Sequence, residues 1–95
     1  MAYVLKLTDQ QYSGFTYISK GSILSHGRHG FFLEDSVFET AGEAVDHIQT
    51  CLESGWYRTD ITPANFEVVE VNLYPEIDPY FYYTKDEAER FKNLN

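Results

Sequence analysis

The sequence predicts an α+β domain in two layers, a small antiparallel sheet of three to five strands with one main helix packed on one face. Three observations carry this expectation. Short runs rich in β-branched and aromatic residues alternate with turn chemistry. One amphipathic helical pattern occupies the middle of the chain. No linker, repeat or low-complexity tract divides the 95 residues, so 1–95 reads as a single compact domain.

Tyr3-Val4-Leu5-Lys6-Leu7-Thr8 reads as a first strand and Phe15-Thr16-Tyr17-Ile18-Ser19 as a second. Turn residues between them make a hairpin over 3–19 the economical arrangement. Glycines 21, 27 and 30 punctuate a loop over 20–30, and Phe31–Glu34 reads as a third strand that Val37-Phe38 extends or leads into a helix. That helix is expected over about 41–54. Thr40-Ala41-Gly42-Glu43 has the spacing of a capping box, in which the Thr40 hydroxyl accepts from the Glu43 amide and the Glu43 side chain reaches back. Ala41, Ala44, Val45, Ile48, Cys51 and Leu52 gather within about 120° of the helix surface, wide enough to face a sheet. Gly55 suits the left-handed position that ends a helix, and Trp56 or Tyr57 is placed to fold back over that end. Phe66–Leu73 is the strongest strand. Its adjacent Val68 and Val69 fit a central strand buried on both faces, or a bulge. Tyr80–Tyr83 suits a short edge strand, and Thr84-Lys85-Asp86-Glu87 opens a second helix over 85–93. The predicted order is β-β-β-α-β-(β)-α.

The formal charge of −8 argues against a protein that grips nucleic acid by neutralising phosphates, and against adhesion to an anionic membrane. No apolar run reaches the ~18–20 residues of a spanning helix, and the N-terminus lacks the pattern of a signal peptide. A cytoplasmic protein of the producing or host cell is expected. The single cysteine, Cys51, excludes an internal disulfide framework. The charge is also uneven. Residues 1–28 sum to +2 and 85–95 to zero, while 29–84 sum to −10, with Arg58 as the only Lys or Arg in that block.

Four constellations bear on chemistry. His26, Arg28 and His29 share a glycine-rich loop that suits an anion, or a metal if further ligands reach it. No phosphate-cradling glycine motif is present, and the plainer expectation is a solvated loop with no metal or cofactor. His47 and Cys51 stand one turn apart, but Cys51 lies in the apolar arc and reads as a small buried hydrophobe rather than a nucleophile. No serine-hydrolase motif occurs, so a non-enzymatic protein is expected. The helix face opposite the apolar arc is more distinctive. Glu43, Asp46, Thr50 and Glu53 form a stripe about 15 Å long, with Glu39, Glu34 and Asp35 upstream and no Lys or Arg between Arg28 and Arg58. Such a row can imitate the phosphates of a nucleic acid in a basic channel. Finally, five of the ten residues from Tyr74 to Tyr83 are aromatic, and Pro75 and Pro79 keep that segment stiff. Alternation along it suits an interface through Tyr74, Tyr80 and Tyr82, or closure of one end of the core.

Length, the acidic middle block, the Glu43–Asp46–Glu53 stripe and the element order together resemble a class of small acidic proteins encoded by phages and mobile elements. That class includes anti-CRISPR proteins and DNA-mimic inhibitors of restriction. The basic N-terminal block departs from uniformly acidic DNA mimics. The resemblance implies a non-enzymatic inhibitor that docks on a basic, nucleic-acid-handling protein. Glu39, Glu43, Asp46 and Glu53, with Tyr74, Tyr80 and Tyr82, are its expected contacts. The alternatives are a structural or homodimeric subunit and a small-ligand or metal-binding protein using His26, Arg28 and His29.

Overall fold

The computed structural model describes residues 2–8, 17–23 and 29–93. Five strands, β1 (Ala2–Leu7), β2 (Tyr17–Ile18), β3 (Phe31–Leu33), β4 (Phe66–Tyr74) and β5 (Asp78–Tyr83), form one sheet in the order β2-β1-β4-β5-β3. Every neighbouring pair is antiparallel. Two helices, α1 (Ala41–Glu53) and α2 (Lys85–Asn93), complete the fold, with 3-10 turns at Glu34–Ser36 and Pro63–Asn65. The predicted α+β architecture and element order are those observed. β1 and β2 pair as expected, with Leu5 opposite Ile18, while the turn between them lies outside the described residues.

β4 explains its own sequence. It sits between β1 and β5, so both of its edges are paired, and its two faces contribute to separate cores. Leu5 opposes Val68 and Leu7 opposes Phe66 on one face; Val4 opposes Val69 and Ala2 opposes Val71 on the other. The two adjacent valines therefore serve two cores. On the first face Leu5, Leu7 and Phe66 meet Ala44, Ile48 and Cys51 of α1. On the second, Ala2, Val4 and Val71 meet Phe32 and Val37. Each fully buried aliphatic side chain, Leu5, Val4 and Val71 among them, contributes about 1.5–3 kcal/mol.

Among the described residues the second core includes no helix residue; the sheet curls around it. Tyr17 and Phe32 belong to strands at opposite ends of the sheet order, yet their rings meet edge to face at 5.4 Å. Beyond β3 the chain returns to β1, where Tyr3 N–H donates to the Phe38 carbonyl (2.9 Å) and Phe38 N–H to the Tyr3 carbonyl (2.8 Å). The expected extension of β3 through Val37-Phe38 is thus a single bridge to a different strand.

The helix ends follow their sequence signals. The Thr40 hydroxyl accepts from the Glu43 amide at 3.1 Å. Gly55 ends α1 with φ +79°, where a side chain would strain the backbone. Tyr57 packs back on Phe66 at 5.7 Å between ring centroids, while Trp56 stays 65% exposed. The buried face of α1 is narrower than its apolar pattern. Val45 is exposed; α1 packs chiefly on β1 and β4, and His47 is half-buried. Thr84 caps α2 through its hydroxyl, which accepts from the Glu87 amide at 3.2 Å. Phe91 of α2 then packs on Phe31 and Tyr83.

Candidate docking surface

Six of the eleven acidic residues of the middle block lie in the 3-10 turn after β3, just before α1, or on α1. Glu34 and Asp35 lie in the 3-10 turn after β3; Glu39 precedes α1; Glu43, Asp46 and Glu53 lie on its outer face. All six are exposed. None forms an ion pair among the described residues, whose ion pairs are Arg58–Asp60, Arg90–Glu87 and Lys92–Glu76. Glu53 accepts from Gln49 at 3.0 Å, and Asp35 lies 3.4 Å from the Ser36 hydroxyl. One cation stands close by. Lys20 N–H donates to the Ser36 carbonyl at 2.9 Å, and Lys20 lines a groove of about 330 Å³ with Phe38, Glu43, Asp46, His47 and Thr50. It therefore sits between the acidic turn and the acidic helix without pairing with either Glu43 or Asp46. Glu53 lies at the far end of α1.

The aromatic segment is a hairpin rather than a stiff extended arm. Ile77 N–H donates to the Tyr74 carbonyl at 2.8 Å, closing a turn in which Pro75 takes the second position, where its fixed φ fits. The turn then feeds β5, which is two residues longer than expected and, paired with both β4 and β3, is not the edge strand the sequence suggests; a bulge at Leu73/Tyr74 offsets the pairing. The three tyrosines part company as a result. Tyr82 is half-buried against the second core. Tyr74 is half-buried beside Tyr83, with the Lys92 ammonium 5.2 Å from its ring centroid. Lys92 also pairs with Glu76 at 3.1 Å, and that carboxyl is held below its ordinary range by its own backbone amide and by Lys92. Tyr80 alone presents most of its ring to solvent, at 74% exposed. It faces Leu33, Glu34 and Asp35 across a hollow of about 440 Å³. The sequence pattern marks Glu34 and Asp35 but does not pair them with Tyr80; that meeting depends on the antiparallel register in which Leu33 opposes Phe81.

Of the glycine-rich loop, His26 and Arg28 lie outside the described residues. His29 is exposed and stacks on Phe31 at 5.3 Å. His47 reaches the start of that loop. Its Nε2 lies 2.6 Å from the Ser22 carbonyl, which can only accept, so Nε2 carries the proton. The Tyr57 hydroxyl donates to the Ile23 carbonyl at 2.7 Å, a second strap on the same segment. Cys51 is fully buried, and burial pushes its thiol up to about 11, away from the thiolate a nucleophile needs. Among the described residues no three His, Cys, Asp or Glu side chains gather as metal ligands do, and no helix is long and apolar enough to cross a membrane. Comparison with protein-family models, curated proteins and solved structures finds no match.

Proposed function

We propose that the chain is a non-enzymatic binding protein that docks on a basic protein surface, most concretely as an inhibitor of a nucleic-acid-handling enzyme. Glu34, Asp35, Glu39, Glu43 and Asp46 meet the partner's cations, and Tyr80 supplies aromatic contact. The observation that carries the reading is that these five carboxylates are exposed and without an ion pair among the described residues. Unneutralised charge of one sign steers encounter with an oppositely charged partner, and an exposed ring provides the contact that slows dissociation. The same charge opposes self-association, since each copy carries −8.

The test compares the wild-type chain with a Glu43→Lys, Asp46→Lys double variant as bait in a host lysate, and then measures association with the protein captured. Capture of a basic nucleic-acid-handling protein is expected. The double variant should bind it at least about tenfold more slowly at low salt, with a flatter salt dependence and an unchanged circular dichroism spectrum. Equal rates for both baits would overturn the reading.

A further inference from the structure

We propose that the hollow between β3 and β5, walled by Leu33 and Tyr80 and bordered by Glu34 and Asp35, receives an arginine side chain of the partner. The inference rests on the docking function above and adds the chemistry of the group received. The hollow is about 440 Å³, within the size of clefts that seat small groups. Its walls differ in character. Leu33, half exposed, offers an apolar surface, and Tyr80 offers an uncovered ring. Glu34 and Asp35 are exposed and take part in no ion pair among the described residues. An occupant that satisfies all three needs an apolar stem, a flat cationic head and several donors. A guanidinium meets each requirement: its methylenes lie along Leu33, its plane stacks on the ring, and its fork reaches the carboxylates. An ammonium carries the charge but neither stacks nor forks, so lysine fits less well.

The backbone that carries the ring is held in place. The Asp78 carboxylate accepts from the Tyr80 amide at 2.7 Å, and Pro79 between them has its φ fixed by the ring. Ordering Tyr80 on binding therefore costs little, since its backbone is already set. The occupant is a different protein rather than a second copy. Two copies, each of net charge −8, bring like charge together.

The experiment titrates the full chain, followed by amide NMR shifts, with two probes of equal length and charge: a Gly-Ser-spaced triarginine peptide and its trilysine counterpart. The arginine peptide is expected to shift the amides of Leu33, Glu34, Asp35 and Tyr80 and to bind about two- to fivefold more tightly than the lysine peptide. Tyr80→Leu should erase that preference, Tyr80→Phe should retain it, and Glu34→Gln with Asp35→Gln should weaken both peptides. Equal affinities, or a preference that survives Tyr80→Leu, would overturn the proposal. Shifts confined to Glu43 and Asp46 would also overturn it while leaving the docking function standing. Shifts at the hollow in a chain whose helix variant still binds the captured partner normally would uphold the hollow and remove the helix face.

Discussion

Replacing Gly30 with alanine probes the clasp that holds β3 against the rest of the sheet, and with it the placement of Leu33. Gly30 has no positive φ, so alanine suffers no backbone strain there; the obstacle is space. A Cβ at this position would collide with the Thr84 hydroxyl oxygen and lie 3.1 Å from Glu87 Cβ and 3.2 Å from Thr84 Cγ2. Thr84 cannot yield freely. Its amide donates to the Gly30 carbonyl at 2.7 Å, and its hydroxyl caps α2. Overpacking of this kind costs about 1–3 kcal/mol, and displacing the cap costs about 1 kcal/mol more. The lower entropy of unfolded alanine returns about 0.4–1 kcal/mol. A net loss of about 2 kcal/mol is expected, read as a shift in the urea midpoint at constant slope. The partner variant Thr84→Ala removes the cap and two of the three obstructing atoms, leaving Glu87 Cβ at 3.1 Å, and should cost about 1 kcal/mol alone. In that background Gly30→Ala should cost less than in the wild-type chain, so the double-mutant cycle should show a coupling of about 1–2 kcal/mol. Additive losses would refute the clasp.

Two further expectations concern charge. Burial lifts the Cys51 thiol from its ordinary 9.0 to about 11 and raises the Tyr17 and Tyr83 hydroxyls as well, so the folded chain keeps protons that the unfolded chain has released. Stability should therefore fall as pH rises above 9, first through Cys51 and then through the tyrosines; urea midpoints unchanged between pH 8 and 10.5 would contradict this, and Cys51→Ala should remove the earliest part of the decline. Glu53 lies in the last turn of α1, where no basic residue offsets it, so Glu53→Lys should stabilise the helix by about 0.3–1 kcal/mol, and a lowered melting temperature would refute that sign.

Elements whose cause is local could be read from the residues alone. Thr40 and Thr84 announce helix starts because a hydroxyl needs only the amide three residues on. Val68 and Val69 announce a doubly covered strand because alternation is intrinsic to extended backbone. What depends on register or curl was not legible. The return of Phe38 to Tyr3 joins two segments that share no pattern, and it is this curl that buries Val37 and half-buries Tyr82. Nothing in the run Tyr80-Phe81-Tyr82-Tyr83 tells which rings face in, since all four are aromatic; pairing with β3 and β4 decides it. Helical spacing places Val45 in the buried arc, but spacing gives an angle and not the width of the surface it meets. The acidic stripe was legible as exposed; its relation to Lys20 and to Tyr80 was not.

The two cores also determine which substitutions can separate docking from folding. Leu5, Ile48 and Phe66 beneath α1, and Val4, Val71 and Phe32 within the curl, supply the burial that holds the chain together. Tyr82 and Tyr74 are committed to that packing or to the Lys92 contact, so losing either ring would lower stability and binding together and identify neither cause. Glu34, Asp35, Asp46 and Tyr80 carry no such duty, since each is exposed and no core residue rests on it. Glu43 adds only a modest helix-dipole term of about 0.3–1 kcal/mol from its place in the first turn of α1. Charge reversal at Glu34, Asp35 or Asp46, away from that dipole term, removes self-repulsion within the acidic block while removing attraction for a basic surface. Folding and docking should then respond with opposite signs, which a protein weakened merely by misfolding cannot imitate.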